Sequence, residues 1–155
     1  PIPPPPSRSH GQARTVAYDA ALVASLTQDH HDLVHLFQRI GRLAESGDHM
    51  AIPPLLVSFK TRLESHLIAE NVRFYNYVEN SLRDDSENLA LIRSFRREMN
   101  QIARGVVDFV KKYQNLPFDP AARSTFMGDY QAVGALLTQR IEREEHSLYP
   151  LYQPD

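Results

Sequence analysis

The sequence contains no cysteine, which excludes disulfide bonds, zinc–thiolate sites and thiol catalysis. It also has no apolar run approaching the roughly 20 residues that are needed to span a bilayer. Its proline-rich start lacks the charged and apolar regions of a signal peptide. Because a cysteine-free chain fits a reducing compartment, we expect a cytoplasmic protein that does not enter a membrane.

An excess of charge of one sign is missing too. The chain has 17 basic and 19 acidic side chains, for a net charge of −2. This composition does not predict a basic surface that would contact nucleic acid directly. There is also no glycine-rich phosphate loop and no Ser-His-Asp arrangement. These absences favour a protein that is not an enzyme.

What the sequence does contain is helical periodicity. Residues 1–14 are rich in proline and small polar residues and are predicted to form a flexible tail, and residues 15–155 are predicted to form one domain. Within this domain, apolar residues recur at steps of three and four in four stretches. These stretches predict four helices. The first runs from about 18 to 43, the second from about 53 to a polar connection at 80–87, the third from about 86 to 113 and the fourth from about 121 to 151. Short connections between long helices predict an all-α, antiparallel, up-down-up-down four-helix bundle.

Each apolar stripe carries polar side chains at positions that should point inward. Buried polar groups cost several kcal/mol unless they are paired, hydrogen-bonded or bound to a metal. The centre of the bundle should therefore hold an ion-pair network or a metal. The inward polar residues are His30 in the first helix, His66 and Glu70 in the second, Arg96 in the third, and Arg140 and Glu144 in the fourth.

The interpretation that we favour is a metal-free ion-pair network. Arg96 and Arg140 would neutralise Glu70 and Glu144 through paired hydrogen bonds, and Arg140 and Glu144 are neighbours on one helix face because they are four residues apart. An added divalent ion would be repelled by the arginines, by about 4 kcal/mol per pair of unit charges at about 4 Å. Arginines would also lower the pKa of both carboxyls, which disfavours an acid–base role for them.

The alternative is a single metal ion held by two imidazoles and two carboxylates. Iron, manganese and zinc all accept this set of ligands. His31 is an alternative to His30 as a ligand, and Glu145 is an alternative to Glu144. The proposed metal ligands are His30, His66, Glu70 and Glu144.

Three motifs occur in a fixed order along the chain. They are Asp29-His30-x-x-Leu33-x-x-Leu36-Phe37, His66-x-x-x-Glu70 and Glu144-Glu145-x-x-Leu148-Tyr149-Pro150-Leu151. Together they make residues 18–152 similar to the hemerythrin-like HHE cation-binding domain family. The resemblance implies a four-helix bundle with two non-haem irons that serves to carry or sense oxygen, nitric oxide or iron.

In that family one iron takes ligands at positions that match His30, His66, Glu70 and Glu144 of this chain. The other iron takes two histidines from the third helix and one from the fourth. Here the third helix has no histidine, and the position four residues before Glu144 is Arg140. The resemblance therefore implies a degenerate metal centre in which two irons are not expected.

The last helix has a second resemblance. Phe126 followed by Val133-Gly134-x-x-Leu137-x-x-Arg140-Ile141-x-x-Glu144-Glu145 is similar to the last helix of the regulator-of-sigma-D anti-sigma proteins. Those proteins are metal-free four-helix bundles that bind a sigma factor. This resemblance implies a protein partner and a role as a transcription regulator.

Taken together, the sequence predicts a non-enzymatic binding or regulatory protein without a cofactor, either a monomer or a homodimer. The alternatives are a sensor or carrier with one iron, manganese or zinc ion, and an anti-sigma-like regulator.

Overall fold

The computed structural model describes residues 16–115 and 119–155, so the predicted tail at 1–14 lies outside it. Within the described ranges all regular structure is helical and there are four long helical stretches. The α-helices are α1 (Leu22–Ser46), α2 (Ile52–Ala69), α3 (Asn76–Ser81), α4 (Ser86–Tyr113) and α5 (Pro120–Arg143). The predicted all-α, hemerythrin-like four-helix bundle is confirmed.

Two of the long stretches contain wider π-helical turns. The second stretch is α2, a π segment at Glu70–Tyr75, and α3. The fourth is α5, a π segment at Glu144–Leu148, and a 3₁₀ turn at Tyr149–Leu151. The sequence predicts a helix over about 121–151, and the structure is helical to Leu151, but its final turns are π and 3₁₀ instead of α.

The boundaries of the helices follow from local hydrogen bonds. The Asp19 carboxylate accepts a hydrogen bond from the backbone N–H of Ala21 at 2.9 Å, and α1 begins just after this turn, four residues later than predicted. It ends at Gly47, whose φ of 82° is the left-handed conformation that favours glycine. At the start of α5 the Asp119 carboxylate accepts from the N–H of Ala122 at 2.8 Å, which is an N-cap.

The apolar core consists of two clusters at different heights in the bundle. The first cluster contains Phe37 of α1 and Phe59 of α2, with side chains from the second half of α4 and from α5: Val106, Phe109, Val110, Tyr113 and Phe126. The terminal cluster contains Leu22, Leu26, Phe74, Ile92, Leu148 and Tyr152, among others. Along α1, His30 lies between Leu26 of one cluster and Leu33 of the other. A polar layer therefore separates two apolar regions.

The π segment at 144–148 changes which residues face the core. A helix that continued at the spacing of Arg140 and Glu144 would also turn Ser147 and Leu151 inward, but both are exposed, whereas Leu148, Tyr149 and Tyr152 are buried. A π turn holds more residues than an α turn, so the side chains that follow it are rotated relative to a regular helix. Over the described ranges, no helix has both the length and the hydropathy needed to cross a bilayer.

Candidate metal centre

The four predicted ligands come together in the polar layer. Each of these four residues offers one donor atom, and the four donor atoms lie within 4.8 Å of one another. The side chains are buried, since every residue is at most 3% exposed. Ligands that are about 2.0–2.2 Å from a common ion lie at most roughly 4.4 Å apart, so shifts of a few tenths of an ångström would let one ion contact them all. These residues are His30, His66, Glu70 and Glu144.

The backbone places both glutamates at the start of a π segment. Glu70 is the first residue of the segment that follows α2, and Glu144 is the first residue of the segment that follows α5. Such π turns are rare and are found frequently at functional sites. His66 lies one turn before Glu70 in α2, which brings the His66 Nε2 to 3.3 Å from the Glu70 Oε2.

Each imidazole is oriented by a carboxylate outside the cluster. The His30 Nδ1 lies 2.7 Å from the Glu145 Oε2, and the His66 Nδ1 lies 2.9 Å from the Asp29 Oδ2. A neutral histidine that donates its Nδ1–H to a carboxylate keeps a lone pair on Nε2. Metal-binding histidines almost always have such a partner, which fixes their tautomer and ring orientation.

Several polar atoms of the cluster have no hydrogen-bond partner among the described residues. They are the His66 Nε2, the Glu70 Oε1 and both carboxylate oxygens of Glu144. The His30 Nε2 lies 2.9 Å from the Glu144 Oε1, but the two atoms do not meet at a hydrogen-bonding angle. Since buried polar atoms are nearly always satisfied, and nitrogen and oxygen donors of this kind are metal ligands, a metal ion fits these residues.

Tyr149 closes the site from the last turn of the chain. Its hydroxyl donates a hydrogen bond to the Glu70 Oε2 at 2.8 Å and lies 3.2 Å from the His30 Nε2. Its ring stacks on the His30 ring, with centroids 5.6 Å apart. Burial and the nearby charge of Glu70 raise the pKa of Tyr149, so its phenol retains the proton that it donates.

The two carboxyls have opposite pKa shifts. Burial raises the pKa of Glu144 well above its usual value, and the neighbouring Glu70 charge adds to this effect. Burial also raises the pKa of Glu70, but the adjacent His66 imidazole, whose Nε2 lies 3.3 Å from the Glu70 Oε2, lowers it more, so the net shift is downward. Two carboxyls this close in a buried site disfavour being ionised together.

The predicted ion-pair network of Arg96 and Arg140 with Glu70 and Glu144 does not form. Arg96 does not reach the core: its guanidinium bonds to the Glu79 Oε2 at 2.5 Å and to the side-chain oxygen of Asn71 at 3.2 Å. The prediction that Arg96 points inward is wrong, because its long side chain instead extends along the bundle surface to a half-buried acid.

Arg140 is buried, as expected for an inward position, but it makes no ion pair with Glu70 or Glu144 within the described ranges. Its guanidinium extends sideways to α4, where it lies 5.2 Å from the centroid of the Phe95 ring. Its nearest acid is Glu98, at 3.3 Å from Nη2. The carboxylates of the cluster are thus not paired directly with arginine, although the charge of Arg140 still acts to lower the pKa of Glu144.

Sequence reasoning missed the roles of three residues around the cluster, since it named Glu145 only as an alternative ligand and gave Asp29 and Tyr149 no role in the site. Asp29 and Glu145 orient the histidines, and Tyr149 donates to Glu70. Asp29 and Glu145 are each adjacent in sequence to a predicted ligand, which was a usable signal. Tyr149 was not predictable, since only the π turn brings its hydroxyl into the site.

Comparison with known proteins agrees with this geometry. The family model described as Hemerythrin HHE cation binding domain matches residues 21–152, which is most of the chain. No curated protein and no solved structure is significantly similar to it. The members of this family bind metal ions, and the buried cluster of two histidines and two glutamates is the group of residues that could do so here. The chain belongs to the hemerythrin HHE cation-binding domain family.

Proposed function

We propose that this protein binds one divalent transition-metal ion, and that it acts as a sensor or carrier rather than as an enzyme. The ion would be held by His30, His66, Glu70 and Glu144. The observation that carries the proposal is that each imidazole has its Nδ1 on a carboxylate while its Nε2 faces the buried glutamates. A protein that uses these histidines only for packing has no need of this orientation.

The charges also favour an ion over an arginine network. The metal-free interpretation required two guanidiniums beside the glutamates, but Arg96 bonds to Glu79 instead and Arg140 lies against α4. The Glu70 Oε1 and both carboxylate oxygens of Glu144 then have no hydrogen-bond partner among the described residues. A divalent ion would balance two carboxylates and would also satisfy the His66 Nε2.

We propose a single ion because the remaining half of the family's two-iron site is not available. Residues 86–113, which form α4, contain no histidine, and Arg140 takes the place of the histidine expected in α5. Two imidazoles and two carboxylates suit iron, manganese or zinc. When bound, an iron ion would supply a change of oxidation state or a position for a small ligand such as oxygen or nitric oxide.

A non-enzymatic role is supported by the enclosure of the site. All four ligands are at most 3% exposed and lie between two apolar clusters. This restricts access to molecules small enough to enter between the helices. A regulatory role through a protein partner is the extension of this proposal that the anti-sigma resemblance suggests.

The test is metal titration of the full-length chain with iron(II), manganese(II) and zinc(II), followed by elemental analysis after gel filtration. We expect one ion per chain for at least one of these metals, and loss of the ion in His66→Ala and Glu144→Gln. His31→Ala is the matched control, since His31 neighbours His30 but is exposed. Two ions per chain, or no bound ion with any of the three, would overturn the proposal.

The non-enzymatic part has its own measurement. Metal-loaded protein should consume hydrogen peroxide no faster than the same concentration of free ion. Turnover above that level that is lost in Glu144→Gln would instead identify a metal-dependent enzyme.

A further inference from the structure

A cavity of about 190 Å³ lies beside the proposed metal centre, between α1, α2, α4 and α5. His30, His66 and Glu144 line one end of it, while the exposed side chains of Gln38 and Thr138 line its outer end. Most of the remaining wall is aliphatic or aromatic. It includes Leu33, Leu63, Ile102 and Leu137.

Arg140 lines the same cavity and is 2% exposed. None of its three guanidinium nitrogens makes a hydrogen bond with any residue in the described part of the chain. The Glu98 Oε2 is 3.3 Å away without hydrogen-bonding geometry, and the other Glu98 oxygen accepts a hydrogen bond from the Arg143 Nη1 at 2.9 Å. A buried guanidinium with five N–H donors is costly to leave unsatisfied.

From these observations we infer that the cavity binds a small amphiphilic monocarboxylate, with its head group on Arg140 and its apolar tail against the wall. Guanidinium pairs with carboxylate through two parallel hydrogen bonds, which would satisfy donors that the protein leaves free. The apolar wall offers nothing to a bare inorganic anion. This inference goes beyond the proposed metal function and does not require a bound ion.

The volume and the charges limit the ligand. A cavity of roughly 150 Å³ holds benzene, so this one suits a carboxylic acid of about seven to nine non-hydrogen atoms, such as hexanoate or benzoate. A phosphate monoester or a dicarboxylate would bring a second negative charge close to Glu144, which lines the cavity too. The single positive charge of Arg140 balances the single negative charge of a monocarboxylate.

The test is calorimetric titration of the full-length chain with four probes: hexanoate, hexanol, hexylammonium and acetate. It is run on chelator-treated and on metal-loaded protein. Hexanoate should bind in both forms, and hexanol and acetate at least about 10-fold more weakly, since each lacks one half of the recognition. Hexylammonium should not bind.

Variants assign the head-group contact. Arg140→Met should weaken hexanoate binding by roughly 10- to 100-fold, the usual effect of losing a charge-assisted hydrogen bond. Arg143→Met is the matched control, because Arg143 also contacts Glu98 and the Phe95 ring but does not line the cavity. It should leave hexanoate affinity unchanged.

Three results would overturn the inference. Hexanol binding as tightly as hexanoate would exclude a role for the guanidinium, and acetate binding as tightly would exclude the apolar wall. Hexanoate binding that needs the metal and is unaffected by Arg140→Met would show that the ion is the anchor. If Arg140→Met does not fold, the relative affinities of the four probes for the unaltered protein test the inference. Elemental analysis tests the metal proposal separately.

Discussion

At the scale of single residues, the carboxylates that orient the imidazoles are the most sensitive positions outside the ligands. Asp29→Ala removes the partner of the His66 Nδ1. We expect metal affinity to fall about 10- to 100-fold, which is typical when the partner of a histidine ligand is removed. Competition with a chelator of known affinity measures the change.

Asp32→Ala is the control for this experiment. Asp32 is exposed, lies one turn after Asp29 in α1, and accepts a hydrogen bond from the Gln28 side chain at 3.1 Å. An Asp29→Ala variant that binds metal as tightly as Asp32→Ala would mean that His66 is held by packing alone.

Arg140 leads to a prediction about stability. Its guanidinium is buried without hydrogen bonds, and replacing buried charge by an apolar side chain of similar volume is often neutral or stabilising, by about 1–4 kcal/mol. Arg140→Met should therefore not lower the free energy of unfolding, and Glu98 retains its hydrogen bond from Arg143. Urea denaturation measures this, and a loss of more than about 1 kcal/mol would show that the contacts of Arg140 with Glu98 and Phe95 stabilise the fold.

The residue types and positions of the candidate site were predictable from the sequence to a useful degree. His66 and Glu70 are four apart on a helix, and His30 and Glu144 occupy matching positions on apolar stripes, so their convergence follows from helical periodicity. Periodicity could not place Arg96, because it gives the direction of Cβ and not the path of a long side chain. Glu79 and Asn71 decided that path.

At the scale of helices, close approach between α1 and α5 depends on glycine. A Cβ on Gly41 would lie 2.3 Å from the Tyr130 hydroxyl oxygen, and this hydroxyl donates to the Phe37 carbonyl at 2.7 Å. Gly41→Ala should displace Tyr130 and lower the free energy of unfolding by about 1–3 kcal/mol, the usual cost of overpacking. Thermal and urea denaturation would detect the loss.

In contrast to Gly41→Ala, we expect Gly105→Ala to stabilise the protein. Gly105 lies inside α4, is exposed, and has no atom within 4 Å of an added Cβ. Alanine there should raise the free energy of unfolding by about 0.5–1 kcal/mol, because glycine is a poor residue in a helix interior. Equal effects of the two substitutions would argue against the observed packing of Tyr130.

The bounds of a regular helix could be predicted from the sequence, but the π turns could not. The bounds of α4 were predicted as 86–113 and are Ser86–Tyr113, since its stripe is regular and Asp85 caps its start with a bond to the Asn88 N–H. The π turns were not predictable. They add a residue without any change in composition, so the apolar stripe of the last helix appeared to continue through Ser147 although the structure buries Leu148 instead.

At the scale of the whole molecule, a metal that binds only the folded chain must stabilise it. At a free metal concentration about 100 times the dissociation constant, the gain is about 2.7 kcal/mol. For a chain of this size, this corresponds to a rise in Tm of about 5–10 °C. Scanning calorimetry with and without a chelator measures the shift.

The matched variant for this prediction is Glu144→Gln, which keeps the shape of the side chain and removes a ligand. Its Tm should not respond to added metal. A metal-dependent rise in Tm that persists in Glu144→Gln would place the stabilising ion elsewhere on the protein.

The division of the core by a polar layer has a consequence for how the bundle opens. Leu26 and Phe74 lie on one side of His30 and His66, and Leu33 and Leu63 lie on the other. Two such regions can exchange their amide hydrogens as separate units, each by its own partial unfolding event. An ion bonded to three helical stretches would join the two regions into one unit, so that the slowest amides on both sides would then share one free energy of opening.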